Sequence, residues 1–286
     1  MSDQKYQTER LHQGVAARYE NLKTLYHAKN DLQDVILFDN PTFGRMLMLD
    51  GVTQVTLRDE FIYHEMMTHV PLFAHDKPHS VLIIGGGDGG IAREVLRHTD
   101  LQNITMVEID KSVVDFSQEY LPEVSAGAFE NPKLNLLIAD GAKYVAETED
   151  RFDIIIVDST DPQGPGEILF TKEFYTDCKR ILRENGILVT QNGVPFLQSD
   201  ELKHSVGYFR EIFDFGTCYR ATIPTYAFGE MAMGFASDKN YRKTDIDILK
   251  ERFARAALKM RYYTPEVHLA AFALPVYIED IISASA

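Results

Sequence analysis

The residues able to do chemistry fall into four short segments. The first is Gly85-Gly86-Gly87-Asp88-Gly89-Gly90, where Gly85, Gly87 and Gly90 keep the spacing GxGxxG. After a strand, that spacing opens a helix and lets a ligand approach the backbone. Alone it is a weak signal, shared by several nucleotide folds. Asp88 sharpens it, because a dinucleotide's pyrophosphate at this helix N-terminus would meet a carboxylate, which speaks against NAD or FAD. Asp88 could also simply cap the helix. The second segment is Glu108-Ile109-Asp110. Glu108 follows Gly90 by 18 residues, near the spacing of an acid that accepts from both ribose hydroxyls. The apolar residues before it make a merely solvated acid the weaker alternative. In the third, Ala139-Asp140-Gly141, Asp140 could accept from an exocyclic adenine amine or cap the following helix, and both readings stay open. The fourth is Asp158-Ser159-Thr160-Asp161-Pro162. Two carboxylates three residues apart after an apolar run raise each other's pKa, and a bound cation would relieve the conflict. Equally, Asp161-Pro162 could start a turn while Asp158 faces water. Together Asp88, Asp158 and Asp161 suggest a nucleoside site beside an acidic pocket for an amine.

His64-Glu65-Met66-Met67-Thr68-His69 has the look of a zinc-protease motif with the wrong spacing. Five residues at 3.6 per turn put the two histidines roughly 140° apart on a helix, so no metal site is expected, and the methionines read as packing residues.

These segments need elements to carry them. Residues 80–84, 104–107, 134–138, 153–157 and 187–190 are apolar strand-like runs. Helix-like stretches lie between them, near 89–98, 112–121, 141–147 and 171–183. Such alternation indicates a parallel sheet covered on both faces, with ligands at the carboxyl ends of its strands. The runs 217–223 and 231–236 suggest further strands, antiparallel around Pro224. The last forty residues read as helical and peripheral. Before residue 70 the pattern differs: 35–38, 45–49 and 52–57, with Asn40-Pro41 and Asp50-Gly51 between them, indicate a small antiparallel unit. A helix over 59–70 follows, opened by Asp59 and closed near Pro71. The expected organisation is an N-terminal β domain over 1–70 and a Rossmann-like α/β catalytic domain over 71–286. The Gly and Pro content of 159–170 suits a hinged lid.

Composition narrows the class. The chain has 286 residues, 45% hydrophobic and 25% charged, with 29 Lys and Arg against 43 Asp and Glu for a net charge of −14. That length suits one large domain with a small one. No basic run exceeds two residues, so a nucleic-acid partner is not expected. The polar N-terminus and the lack of an 18-residue apolar run indicate no signal peptide and no membrane span, hence a cytoplasmic protein. Two cysteines without a CxxC spacing argue against a disulfide scaffold or a zinc ribbon.

At this point the sequence resembles the spermidine synthase branch of the polyamine aminopropyltransferases, bacterial type. The matching pieces are LDGVTQVTLRDEFIYHEMM (49–67), VLIIGGGDGG (81–90), VEID (107–110), ADGA (139–142), DSTDPQGPGE (158–167), TIPTY (222–226) and RYYTPEVHLAAFALP (261–275). The resemblance implies a Rossmann-like, methyltransferase-type sheet with a small N-terminal antiparallel β domain, assembled as a homodimer or homotetramer. It implies aminopropyl transfer from decarboxylated S-adenosylmethionine to putrescine, giving spermidine and methylthioadenosine, with no cofactor and no metal. Gln33, Gln54, Gly85, Gly87, Asp88, Glu108, Asp140, Gly141 and Pro165 match positions on the donor and nucleoside side. His64, Asp88, Asp158, Asp161 and Tyr226 match positions around the amines. Asp158, Asp161 and Tyr63 are then the catalytic candidates, with Asp158 as proton acceptor. The charge reading agrees, since Asp88 would repel the carboxylate of intact S-adenosylmethionine and attract the ammonium of the decarboxylated donor. A methyltransferase shares the sheet, the glycine loop and Glu108, but leaves Asp88 and the acidic pair unexplained. A sensor that binds without turnover is the non-enzyme alternative. Where animal members have a glutamate after the fifth strand, this chain has Gln191-Asn192-Gly193-Val194, which leaves acceptor length open, with cadaverine as a weaker possible acceptor.

Overall fold

Two kinds of strand build the protein, and their burial separates them. The computed structural model describes residues 5–29, 34–160 and 164–284. A short hairpin, β1 (Tyr6–Glu9) and β2 (Ala17–Glu20), precedes a four-stranded antiparallel meander of β3 (Lys23–Lys29), β4 (Asp34–Asn40), β5 (Gly44–Leu49) and β6 (Val52–Thr56). These strands alternate between two faces, as a period of two requires. Leu37, Leu47 and Val55 pack on Leu121 and Val124, while Phe38, Met46 and Met48 pack on Tyr19. Asp50 and Gly51 both have positive φ and join β5 to β6 directly, with Leu49 facing Val52, as the Asp-Gly pair predicts.

Helix α1 (Glu60–Ala74) leads into the large sheet. It runs past the expected stop, because Pro71 lies inside the last turn, where His75 N–H still reaches the Pro71 carbonyl at 3.0 Å. A proline that close to a helix end removes one ladder bond without breaking the element. Nearly every α1 side chain is buried, and the helix packs on the large sheet. Its apolar residues therefore share that sheet's core, although the sequence grouped it with the N-terminal strands.

The large sheet is formed by β7 (Ser80–Gly85), β8 (Asn103–Glu108), β9 (Leu134–Ile138), β10 (Phe152–Asp158), β11 (Leu182–Gln191), β12 (Phe215–Ala221) and β13 (Met231–Ser237), in the order β12-β13-β11-β10-β7-β8-β9. Strands β7 to β11 are parallel, whereas β12 and β13 are antiparallel additions at one edge. Within β7, Val81 and Ile83 join one core and Leu82 and Ile84 the other. Two buried faces are why these strands read as unbroken apolar runs. Helix α2 (Gly90–Leu96) follows β7, α3 (Lys111–Tyr120) and the short α4 (Pro122–Ser125) follow β8, α5 (Gly141–Glu147) follows β9, α6 (Lys172–Ile181) precedes β11 and α7 (Ser199–Ile212) follows it. Within the segment expected as a lid, Gly164–Phe170 is a 3-10 helix.

Helices α8 (Ile246–Ala256), α9 (Pro265–Ala271) and α10 (Val276–Ser283) end the chain. They are helical as expected, but the tail is not peripheral. Tyr263, His268 and Phe272 are buried, and Tyr263 stacks on Phe73 of α1 with ring centroids 5.1 Å apart. The apolar residues of 261–275 fill the space beside α1.

Candidate active site

The strand order reverses between β7 and β10, which places the crevice for a ligand at their carboxyl ends. Gly85 and Asp158 are register partners there. Gly85 has φ of +80°, and a Cβ on it would lie 2.1 Å from the Asp158 carbonyl oxygen, so only glycine fits. Gly87 abuts Glu108 and Val113, and Gly141 abuts Ile84.

Asp88 leaves the glycine loop pointing into the crevice. Its Oδ1 accepts from Gly90 N–H at 2.8 Å, the first residue of α2, whose N-cap is Gly89, and its Oδ2 stands 3.3 Å from His64 Nε2. His64, buried on α1, has its Nδ1 2.6 Å from Glu60 Oε2. Glu60 accepts in turn from Arg93 Nη2 at 2.9 Å. Burial opposes a charge on His64, but Asp88 and Glu60 together push its pKa up to about 10. A Cβ on Gly90 would lie 2.2 Å from His64 Cε1, which makes the helix start a seat for the ring.

Asp158 ends β10 and accepts from the Tyr63 hydroxyl at 2.5 Å. Burial, then the charge of Asp88, push its carboxyl up to about 7, against the opposing pull of His64 and Tyr63. Burial, then the charge of Asp158, with Asp88 adding to it, hold the Tyr63 hydroxyl protonated. Tyr226 meets Tyr63 edge to face at 6.1 Å and donates to the Gln54 carbonyl at 2.6 Å. The segment bearing Tyr226 is tied to α1 by buried Asp59. Asp59 accepts from Thr56 Oγ1 at 2.5 Å, from Thr225 N–H at 2.7 Å and from the Thr225 hydroxyl. The Asp59 side chain thus makes tertiary bonds and no cap bond to α1. A cleft between α1 and this segment is lined by Thr56, Tyr63, His64, Ile223 and Tyr226.

On the other side of the loop, Glu108 is buried and accepts from Asp110 N–H at 2.9 Å, and burial pushes its carboxyl up. Asp140 is exposed and accepts from Lys143 N–H at 3.1 Å, so it caps α5. Ile109 and Ile138 are large and exposed at these strand ends, and Ile138 is the register partner of Glu108. Apolar side chains beside a ribose-type acid offer a face to a flat heterocycle. The Gln54 amide nitrogen donates to the Val52 carbonyl at 3.2 Å. Pro165 lies in the 3-10 helix, and Gln33 and Asp161 lie outside the described residues.

Contacts therefore unite Tyr63, His64, Asp88, Asp158 and Tyr226, with Glu108, Asp140 and Gly141 along the adjoining strand ends. His64, Asp88 and Asp158 offer ligand atoms within 4.8 Å of one another, a spacing that suits an ammonium or a metal cation. His69 turns elsewhere, to Glu94 at 2.9 Å and His98 at 2.9 Å. Glu60, Arg93 and Asp59 were missed from sequence. Glu60 and His64 stand at i and i+4 on one helix, a neighbour relation that could have found the first of them.

Comparison with known proteins places this geometry. Residues 60–248 match the model of the spermine/spermidine synthase domain, and residues 6–56 match that of the spermidine synthase tetramerisation domain. The chain belongs to the spermine/spermidine synthase family. A polyamine aminopropyltransferase of a Ruegeria species is 55% identical over 98% of this chain and 99% of its own. One of Pseudomonas syringae pv. tomato is 50% identical over 97% of this chain and 96% of its own. Among solved structures, a spermidine synthase in complex with the transition-state analogue AdoDATO matches with TM-score 0.90 and 36% identity, covering 99% of this chain and 96% of that one. The family's enzyme from Thermotoga maritima matches with TM-score 0.88 and 34% identity, covering 98% of this chain and 95% of that one. The resemblance and the fold class read from the sequence both stand.

Proposed function

We propose that the protein transfers an aminopropyl group from decarboxylated S-adenosylmethionine to putrescine, yielding spermidine and methylthioadenosine. The observation that carries this reading is the cluster of His64, Asp88 and Asp158 beside Tyr63 and Tyr226, next to a glycine loop and a ribose-type acid. Glu108 accepts from the ribose hydroxyls, and Ile109 and Ile138 flank the base. Asp88 faces the donor's ammonium, where intact S-adenosylmethionine would bring a repelled carboxylate. Tyr63 and Tyr226 present ring faces to the acceptor cation.

The acceptor nitrogen must lose a proton before it can attack, although free amines hold theirs to a pKa near 10. Desolvation and the donor's sulfonium charge favour the loss. Asp158 receives the proton; a carboxyl near 7 is matched to that task at neutral pH. The nitrogen lone pair forms the new N–C bond as the C–S bond breaks, and the sulfonium electrons return to sulfur in neutral methylthioadenosine. Tyr63 donates to Asp158 and fixes the orientation of its carboxylate, so much of the acceleration comes from alignment. No metal step is required. An imidazolium held between two carboxylates has no lone pair for a metal, which favours an ammonium guest over a metal at this cluster.

The same reading includes assembly into a homo-oligomer through the N-terminal strands and a cytoplasmic location. It is supported by the tetramerisation-domain match and by two buried free cysteines. No described helix is long and apolar enough to cross a membrane. Mass spectrometry of products tests the reaction. Spermidine and methylthioadenosine from the decarboxylated donor alone are expected, with cadaverine a poorer acceptor. A methylated amine from intact S-adenosylmethionine, with no product from the decarboxylated donor, would overturn it.

A further inference from the structure

His64 is unusual in having both ring nitrogens against carboxylates. Nδ1 lies 2.6 Å from Glu60 Oε2, and Nε2 lies 3.3 Å from Asp88 Oδ2. A neutral imidazole has one N–H, so in that state one nitrogen lone pair would face a carboxylate oxygen at a buried position, a costly arrangement. With both nitrogens protonated, both contacts become charge-assisted hydrogen bonds. Glu60 is held for this task. Arg93 from α2 grips both its oxygens, Nη2 to Oε2 at 2.9 Å and Nη1 to Oε1 at 3.3 Å. Arg93 is itself fixed by the Val124 carbonyl at 2.6 Å and by Glu94 at 2.8 Å. The result is a row of alternating sign, Arg93, Glu60, His64 and Asp88, buried at Glu60 and His64 and half-buried at its two ends, that ends where the amines bind.

We infer that Glu60, clamped by Arg93, is a positioning residue that keeps His64 an imidazolium and thereby sets the charge of the two carboxylates facing the reacting amine. The charged and titratable groups around His64 are Glu60 and Tyr63 on α1, Asp88 on the glycine loop, Arg93 on α2 and Asp158 at the end of β10, with Glu108 behind Asp88. The positive ring lowers the proton affinity of both Asp88 and Asp158. Asp88 therefore stays ionised for its ammonium, and Asp158 is kept from rising further than burial and Asp88 would take it. The Glu60 carboxylate is taken up by His64 and Arg93, and it acts through His64.

The test is the protonation state of His64, read in nitrogen-15 histidine spectra of the whole enzyme at pH 8.5 without substrates and assigned with His64→Gln. Two protonated ring nitrogens are expected in the wild type. Glu60→Gln keeps an acceptor for Nδ1–H and removes the charge, so its ring should show one protonated nitrogen. The rate arm rests on the proposed reaction: in Glu60→Gln the acid limb of kcat/KM for the diamine should move up by about one pH unit or more, because Asp88 and Asp158 no longer face a positive ring. A wild-type ring with a single N–H at pH 8.5 would overturn the inference even if the variant fails to fold. So would a Glu60→Gln enzyme with a doubly protonated ring and an unmoved pH profile. Doubly protonated His64 in a wild-type enzyme that makes no spermidine would sink the proposed reaction and leave the inference standing.

Discussion

At the scale of residues, the site turns on two carboxyls treated differently by their surroundings. Asp88 has an imidazolium and a helix N-terminus for its two oxygens and is held below the usual aspartate range by His64 and Gly90 despite its burial. Asp158 has the same burial with a like charge beside it, and is raised. Under the proposed reaction Asp158 takes the proton and must be ionised to act, so kcat should fall as pH drops through about 7, which a pH–rate profile at saturating substrates checks. Asp158→Asn should lower kcat by about 10²–10⁴-fold while binding of methylthioadenosine changes little; near-normal turnover would remove Asp158 from its role. The same raised pKa has a stability consequence. The folded state holds the Asp158 proton more tightly than the unfolded chain, so stability contributed by that proton is lost as pH rises from 3.8 to about 7. Asp158→Asn should therefore raise Tm at pH 8 by about 2–4 °C, and a lower Tm by calorimetry would contradict this account. Sequence showed Asp158 as one acid of an ambiguous pair. It could not show the pKa, which depends on desolvation and on Asp88 across the sheet.

At the scale of elements, α1 organises the site. One of its ends carries Asp59 as a tether for the segment bearing Tyr226, and its middle carries Tyr63, His64 and Glu65. Glu65 is buried and accepts three backbone N–H bonds, from Arg261, Tyr262 and Tyr263, each at 2.8 Å, which docks the tail against the helix. An amide can accept on one side only, so Glu65→Gln should cost about 2–3 kcal/mol of stability, read by urea denaturation, with kcat nearly unchanged at low temperature. Under the proposed reaction, Asp59→Asn should instead raise KM for the amine several-fold, because the Tyr226 segment loses an anchor. An equal effect on donor affinity would argue for general loosening. The parallel strands were legible because their apolar runs are unbroken. Strands β1 to β3 were not, since they are short or half-exposed and carry no clean alternation. The extension of α1 past Pro71 was hidden too, because a proline's cost near a helix end is small against the burial of Leu72 and Phe73.

At the scale of the whole molecule, the charge of −14 surrounds a crevice that takes two cationic substrates under the proposed reaction. An acidic surface speeds the arrival of such ligands, and salt screens it. Raising ionic strength from about 0.05 to 0.5 M should lower kcat/KM for the diamine several-fold, while inhibition by neutral methylthioadenosine stays constant. Equal salt dependence of both would show that the net charge has no part in capture. The strand order β9-β8-β7-β10-β11 also works at this scale, because only the reversal at β7 and β10 leaves an open crevice over Gly85 and Asp158.

The sequence by itself determined the alternation of strands and helices, the glycine loop, the acids at the strand ends and, through the order of its motifs, the family. All of these are local patterns, written in neighbouring residues. The tertiary structure alone decided that Asp158 sits near neutral pKa, that His64 carries a charge, and that Glu60, Arg93 and Asp59 belong to the site. The Asp59–Thr225 contact spans 166 residues and the Arg93–Glu60 contact 33. Burial and through-space charge fix a proton's position, and neither exists until the chain has folded.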